Sequence, residues 1–117
     1  MSSGQSDEAA SDETEIEVSG ADELQDVLND HPIVLVDFYA DWCGPCKMMD
    51  PVIEGIAADT PLVVAKVDVD VNQQLASQHG VRGVPTMELY HNGERMETFV
   101  GVTAEEDLRA QVNQLAN

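Results

Sequence analysis

Basic residues are nearly missing from this chain: five Lys and Arg stand against 23 Asp and Glu, for a formal net charge of -18. A surface of that sign repels phosphate, which excludes nucleic acid and anionic membranes as partners. Long apolar runs are missing too. The longest, Ile33–Val36 and Leu62–Ala65, have the length of buried strands and fall far short of the ~18 residues that cross a bilayer. Residues 1–14 hold neither an apolar run nor a basic segment, so no secretory leader is visible and cytoplasm is the expected compartment. Cysteine is limited to Cys43 and Cys46. Two thiols three positions apart close almost no loop and make a poor structural staple. Aromatics are only 4% of the residues, so the single core that 117 residues can bury must be built mainly from Val and Leu.

Ten of the 23 acids lie within residues 1–30. Asp59, Asp68, Asp70, Glu94, Glu97 and the Glu105-Glu106-Asp107 run nevertheless carry the excess through the chain. That spread points to a whole surface adapted to a salt-rich cytoplasm, where screening makes self-repulsion inexpensive, rather than to an acidic tail on an ordinary domain.

Residues 1–14 are polar, acidic and aperiodic, and read as a solvated tail; residues 15–117 read as one domain. Glu15–Val18 alternates like a short strand, and Leu24, Val27 and Leu28 mark a helix over Ala21–Asn29. Ile33–Phe38 is apolar except for Asp37, the pattern of a central strand covered on both faces. A helix follows through Met48, Met49, Val52, Ile53, Ile56 and Ala57, with Pro51 inside it as an expected kink. Leu62–Val69 reads as a second buried strand and Asn72–His79 as a helix before a turn at Gly80–Gly83. Asn92-Gly93 between Pro85–His91 and Glu94–Gly101 is a strong hairpin signal. The last helix, Ala104–Leu115, is expected to start on a capping box of Thr103 and Glu106. The order predicts a mixed sheet sandwiched by helices.

The chemistry is concentrated in Trp42-Cys43-Gly44-Pro45-Cys46-Lys47, placed between a buried strand and a helix. A cysteine at a helix start meets unpaired amides and the positive end of the helix dipole, which favour the thiolate. Cys43 is therefore the expected nucleophile. Cys46, one turn further in on the same side, is the expected resolving thiol. Gly44 lets a substrate chain approach closely, Pro45 suits the first helical turn, and Trp42 offers a flat apolar surface. Two chance core cysteines would not be joined by Gly-Pro. Half of a zinc site would need two further ligands, and His31, His79 and His91 show no paired spacing. Each of these histidines reads as a surface residue. Asp37, the lone charge in its strand, is expected to be buried, with its pKa raised by desolvation, and to exchange a proton with Cys46. Lys66 reads either as its partner or as a snorkelling surface lysine. Pro85 follows a turn that would suit a cis-proline loop laid against the cysteines.

With these residues the chain resembles the thioredoxin family. Trp42–Lys47 matches its active-site motif in full, and the likeness runs on through Val36–Ala40, Pro51, Asp68–Asp70, Val81–Thr86, Asn92-Gly93 and Gly101, covering residues 15–117. The resemblance implies a three-layer α/β/α sandwich with a central mixed five-stranded sheet and four helices. It implies attack by Cys43, resolution by Cys46, a buried acid at Asp37 beside Lys66, and a cis-proline at Pro85. Trp42, Gly44, Pro45, Gly83, Val84, Gly101 and Val102 would form the docking surface. The implied activity is reduction of disulfide-containing client proteins by a cofactor-free monomer, recharged by a thioredoxin reductase or a ferredoxin-linked reductase. Net thiol oxidation or isomerisation, and a redox-gated binding module, are the other readings.

Overall fold

A computed structural model of the chain describes residues 14–117, so nearly all of the expected acidic tail lies outside the described residues. The elements run β1 (Glu15–Glu17), α1 (Gly20–Asp30), β2 (Ile33–Tyr39), α2 (Gly44–Asp59), β3 (Val63–Asp68), α3 (Gln73–Gln78), β4 (Thr86–His91), β5 (Glu94–Val100) and α4 (Glu105–Ala116). The five strands form one sheet in the order β1-β3-β2-β4-β5. β3 runs parallel to β1 and to β2, while β4 is antiparallel to β2 and to β5. The sandwich expected from the alternation of elements is the architecture observed. Thr14, placed at the end of the tail by sequence, accepts a hydrogen bond on its carbonyl from the Val64 amide at 2.8 Å.

Strand alternation divides the core in two. Val34, Val36 and Phe38 of β2 pack with Leu24, Val27 and Leu28 of α1 and with Leu75 and Ala76 of α3. Ile33 and Leu35 turn the other way and meet Met49, Ile53 and Ile56 of α2 and Leu108 and Val112 of α4. β2 is thus covered on both faces, which is why its sequence is a near-continuous apolar run. Each fully buried Leu, Ile or Val on these faces contributes roughly 1.5–3 kcal/mol.

Two local devices set the ends of the active-site elements. α2 begins directly at the motif, with Cys43 as its N-cap in extended conformation and Pro45 in the first turn. Asn92 and Gly93 both take positive φ, 52° and 84°, as the tight β4–β5 hairpin requires. Next to that hairpin β5 carries a bulge: Leu89 pairs with Glu97 and Tyr90 with Arg95, so Met96 is the extra residue.

The capping box expected at α4 is not formed. The N-cap is Ala104, and the Thr103 hydroxyl instead donates to the Gly101 carbonyl at 3.2 Å. Glu105, Glu106 and Asp107 occupy the first turn, where their charge interacts favourably with the positive end of the helix dipole. A capping-box-like contact appears instead at α1, where Glu23 accepts from the Ser19 amide at 2.9 Å.

Candidate active site

β2 delivers the chain to the motif and α2 carries it away, so the two cysteines sit where a buried strand meets a helix N-terminus. Cys43 and Cys46 are joined in a disulfide with Cα atoms 5.3 Å apart. Both are buried, at 3% and 4% exposure, among Ala40, Tyr39, Val69 and Val84. The Cys46 amide donates to Cys43 Sγ at 3.1 Å. This amide is one of the donors that a helix start leaves unpaired. Upon reduction it would face the Cys43 sulfur and favour its anionic form.

Val84 packs against the pair, its carbonyl oxygen 3.6 Å from Cys43 Sγ. The Val84–Pro85 peptide bond is cis, as the resemblance implied. The Gly101 amide donates to the Pro85 carbonyl at 2.8 Å, drawing Gly101 and the exposed Val102 to the same end of the sheet. Trp42 is 71% exposed, and its indole N–H donates to Asp70 at 2.9 Å, which fixes the ring above the surface. Trp42, Val69, Val81, Gly83 and Val84 wall a groove of about 180 Å³. Gly44 and Pro45 are exposed beside it.

Asp37 is 2% exposed and lies on the α2-facing side of β2. Its Oδ1 finds no hydrogen-bond partner among the described residues. Desolvation raises its pKa from 3.8 to about 7; Lys66 opposes the rise, while Asp50, Glu15 and Glu17 add to it. Asp37 is thus buried, as its place as the lone charge in an apolar strand led one to expect. Lys66 pairs with Asp37 in β-sheet register, but its ammonium is held elsewhere. It donates to Asp50 at 3.3 Å, lies 3.9 Å from Glu15, and sits over the Tyr39 ring at 4.4 Å. It is thus a near neighbour of Asp37 rather than its ion-pair partner. Desolvation works against its charge, but the surrounding carboxylates outweigh it and raise its pKa.

One histidine departs from the surface role expected of it. His79, the C-cap of α3, packs on Phe38 with ring centroids 5.3 Å apart, and its Nδ1 lies 2.8 Å from Glu88 Oε1. Glu88 is 1% exposed on β4, and its burial passed unnoticed in the sequence. The signal was present, since Glu88 is the lone charge in Thr86–Tyr90 as Asp37 is in its own strand. Asp50 and Asp70, the partners of Lys66 and Trp42, carried no comparable signal. No cluster of side chains suited to holding a metal ion occurs among the described residues.

A family model described as Thioredoxin matches residues 15–114. A thioredoxin of Porphyra purpurea is 37% identical over 99 residues, covering 83% of this chain and 92% of that protein. A bifunctional thioredoxin reductase/thioredoxin of Mycobacterium leprae is 48% identical over 88 residues, covering 74% of this chain and 19% of that longer one. Among solved structures, a single-residue mutant of a thioredoxin from Halobacterium salinarum superposes with a TM-score of 0.85 at 48% identity, covering 90% of this chain and 93% of that one.

Proposed function

The chain belongs to the thioredoxin family, and from that premise we propose that this thiol–disulfide oxidoreductase works as a reductant of protein disulfides, attacking with Cys43 and resolving with Cys46. The observation that carries the assignment of roles is the Cys46 amide aimed at Cys43 Sγ from the first turn of α2. It supplies Cys43 with the stabilisation a thiolate needs.

In the first step the Cys43 thiolate attacks one sulfur of a client disulfide. A mixed disulfide forms and the client's other sulfur leaves as a thiolate. In the second step Cys46 gives up its proton, with Asp37 as the base, and attacks Cys43 Sγ. The Cys43–Cys46 disulfide forms, the mixed disulfide breaks, and the departing client thiolate takes a proton. Two electrons have then passed from the dithiol to the client. A carboxyl with a pKa of about 7 suits this exchange, because near neutral pH both its acid and base forms are populated.

Trp42, Gly44, Pro45, Gly83, Val84, Gly101 and Val102 serve as the docking surface. The main chain of Val84 beside the cysteines suits pairing with an extended client segment. A thioredoxin reductase or ferredoxin-linked reductase restores the dithiol; the Mycobacterium leprae relative, named for both activities in one chain, supports the first. The protein acts as a monomer in a salt-rich cytoplasm. A net charge of -18 supports the salt, and no helix among the described residues is long and apolar enough to cross a membrane.

Replacing Cys46 with serine tests the assignment. Cys46→Ser is expected to accumulate client proteins as mixed disulfides on Cys43, read on non-reducing gels. Accumulation by Cys43→Ser instead would show the two roles to be reversed.

A further inference from the structure

Glu88 is buried, charged and unused by the chemistry above, and it sits on the face of the sheet opposite Asp37. Its Oε1 accepts from the Tyr90 hydroxyl at 2.9 Å and lies 2.8 Å from His79 Nδ1; its Oε2 accepts from Arg95 at 3.3 Å. Burial raises the pKa of this carboxyl, but hydrogen bonds from His79 and Tyr90 and the charges of His79 and Arg95 outweigh it and hold the pKa below its usual value. An ionised carboxylate only accepts, so Nδ1 of His79 carries the proton in that contact. The β5 bulge is part of the arrangement. It sets Arg95 opposite Tyr90 where unbroken pairing would set Met96, and so puts a guanidinium within reach of Glu88.

His79 ends α3, and the next residues are the segment 80–84 that leads to Val84. Gly80 takes φ 70°, and the Val81 amide returns to the Ala76 carbonyl at 3.0 Å. At the far end the Thr86 hydroxyl donates to the Gly83 carbonyl at 2.7 Å. The wall of the groove beside Cys43 is therefore tied to β4 twice, through Glu88 before it and through Thr86 after it.

We propose that Glu88 and His79 form a positioning clamp that holds segment 80–84 in place to receive the client's backbone, and so set client affinity without touching the reacting sulfurs. The inference rests on the docking role given to Val84 above. Ordering this segment in advance removes an entropy cost from client binding. A small disulfide with no peptide backbone gains nothing from it.

The test uses the full chain and two substrates: insulin, with NADPH and a thioredoxin reductase to recycle the dithiol, and 5,5′-dithiobis(2-nitrobenzoate), in a single turnover of protein reduced beforehand and freed of reductant. His79→Phe keeps a ring against Phe38 and removes the N–H; His79→Leu reads the same loss should the phenylalanine variant fold poorly. The expected result is a several-fold rise in KM for insulin with kcat unchanged and an unchanged rate with the small disulfide. Amide exchange at Val81 should quicken while Leu35 stays protected. His79→Asn, which restores an N–H close to the place of Nδ1, should recover the insulin KM. Equal losses on both substrates, an unmoved insulin KM, or failure of His79→Asn to recover it would overturn the clamp alone. A wild type inert towards both disulfides would overturn the reductase reading and the clamp with it.

Discussion

Asp37 and Glu88 stand on neighbouring strands of one sheet, both almost fully buried, and their surroundings push their pKa values in opposite directions. Asp37 faces α2, with Oδ1 unpartnered among the described residues and a lysine whose ammonium is drawn off to Asp50. Glu88 faces α1 and α3 with three donors around it. Desolvation acts on both and decides only the first. Burial alone thus does not fix what a carboxylate does; the partners do. An unsatisfied acid is held at a cost to stability and suits the proton exchange proposed for Asp37, whereas a satisfied one is a structural tie.

The largest effect expected from this contrast is in stability. Asp37→Ala is expected to stabilise the fold at pH 8 by on the order of 3 kcal/mol, because ionising a carboxyl whose pKa is raised to about 7 opposes folding. The sign follows from the unfolded value near 3.8. Below it both states hold the proton and the penalty is absent; it builds as pH rises and is complete above the folded pKa. The stabilisation should therefore shrink at pH 4, while disulfide reduction at neutral pH slows. Urea melts at the two pH values check the first and insulin turnover the second. A variant less stable than wild type at pH 8 would contradict the burial cost.

Glu88→Ala should do the reverse, destabilising by about 2 kcal/mol at pH 8, since the Tyr90 hydroxyl and the His79 N–H lose a buried acceptor. Arg95 is half exposed and adds little, because water can replace its partner. The lowered pKa of Glu88 gives stability that is present above the ordinary value of 4.5 and lost as pH falls through the folded one. The variant's deficit should therefore narrow in acid. A deficit that widened there would show that the carboxylate is not held ionised.

Of the two acids, sequence disclosed one. Asp37 interrupts a long apolar run directly before the Cys43-Gly44-Pro45-Cys46 motif, so its burial followed from the pattern of β2. Glu88 interrupts a similar run, but its three partners depend on where α3 ends and on a bulge between Leu89 and Tyr90. Pairing register across a bulge is set by tertiary contacts that no local pattern records. Thr103 teaches the same lesson on a smaller scale. Thr and Glu at capping-box spacing were legible, but the chain leaving Gly101 turns the hydroxyl back to that carbonyl. The dithiol, the central strand, the hairpin and the order of layers were legible because each rests on local periodicity or turn chemistry.

A smaller effect separates the acids of residues 1–13 from those of residues 14–117. Nineteen of the 23 acids lie beyond residue 14. Their repulsion is screened over ~10 Å at 0.1 M salt and ~3 Å at 1 M. The chain lacking residues 1–13 is expected to keep the greater part of the stabilisation that full-length protein gains between 0.1 and 3 M KCl. Thermal melts of the two forms check this. A truncated form equally stable at all salt levels would confine the salt response to the tail.

The divergence of the two carboxyls can be read in one sample, by a carbon-13 NMR titration of Asp37 and Glu88 in the oxidised protein. The expected result is an Asp37 midpoint near pH 7, with Glu88 titrating below 4.5 and silent through the neutral range. An Asp37 midpoint near pH 4 would contradict the role proposed for it, for a carboxylate that weakly basic would not hold a proton taken from Cys46 at neutral pH.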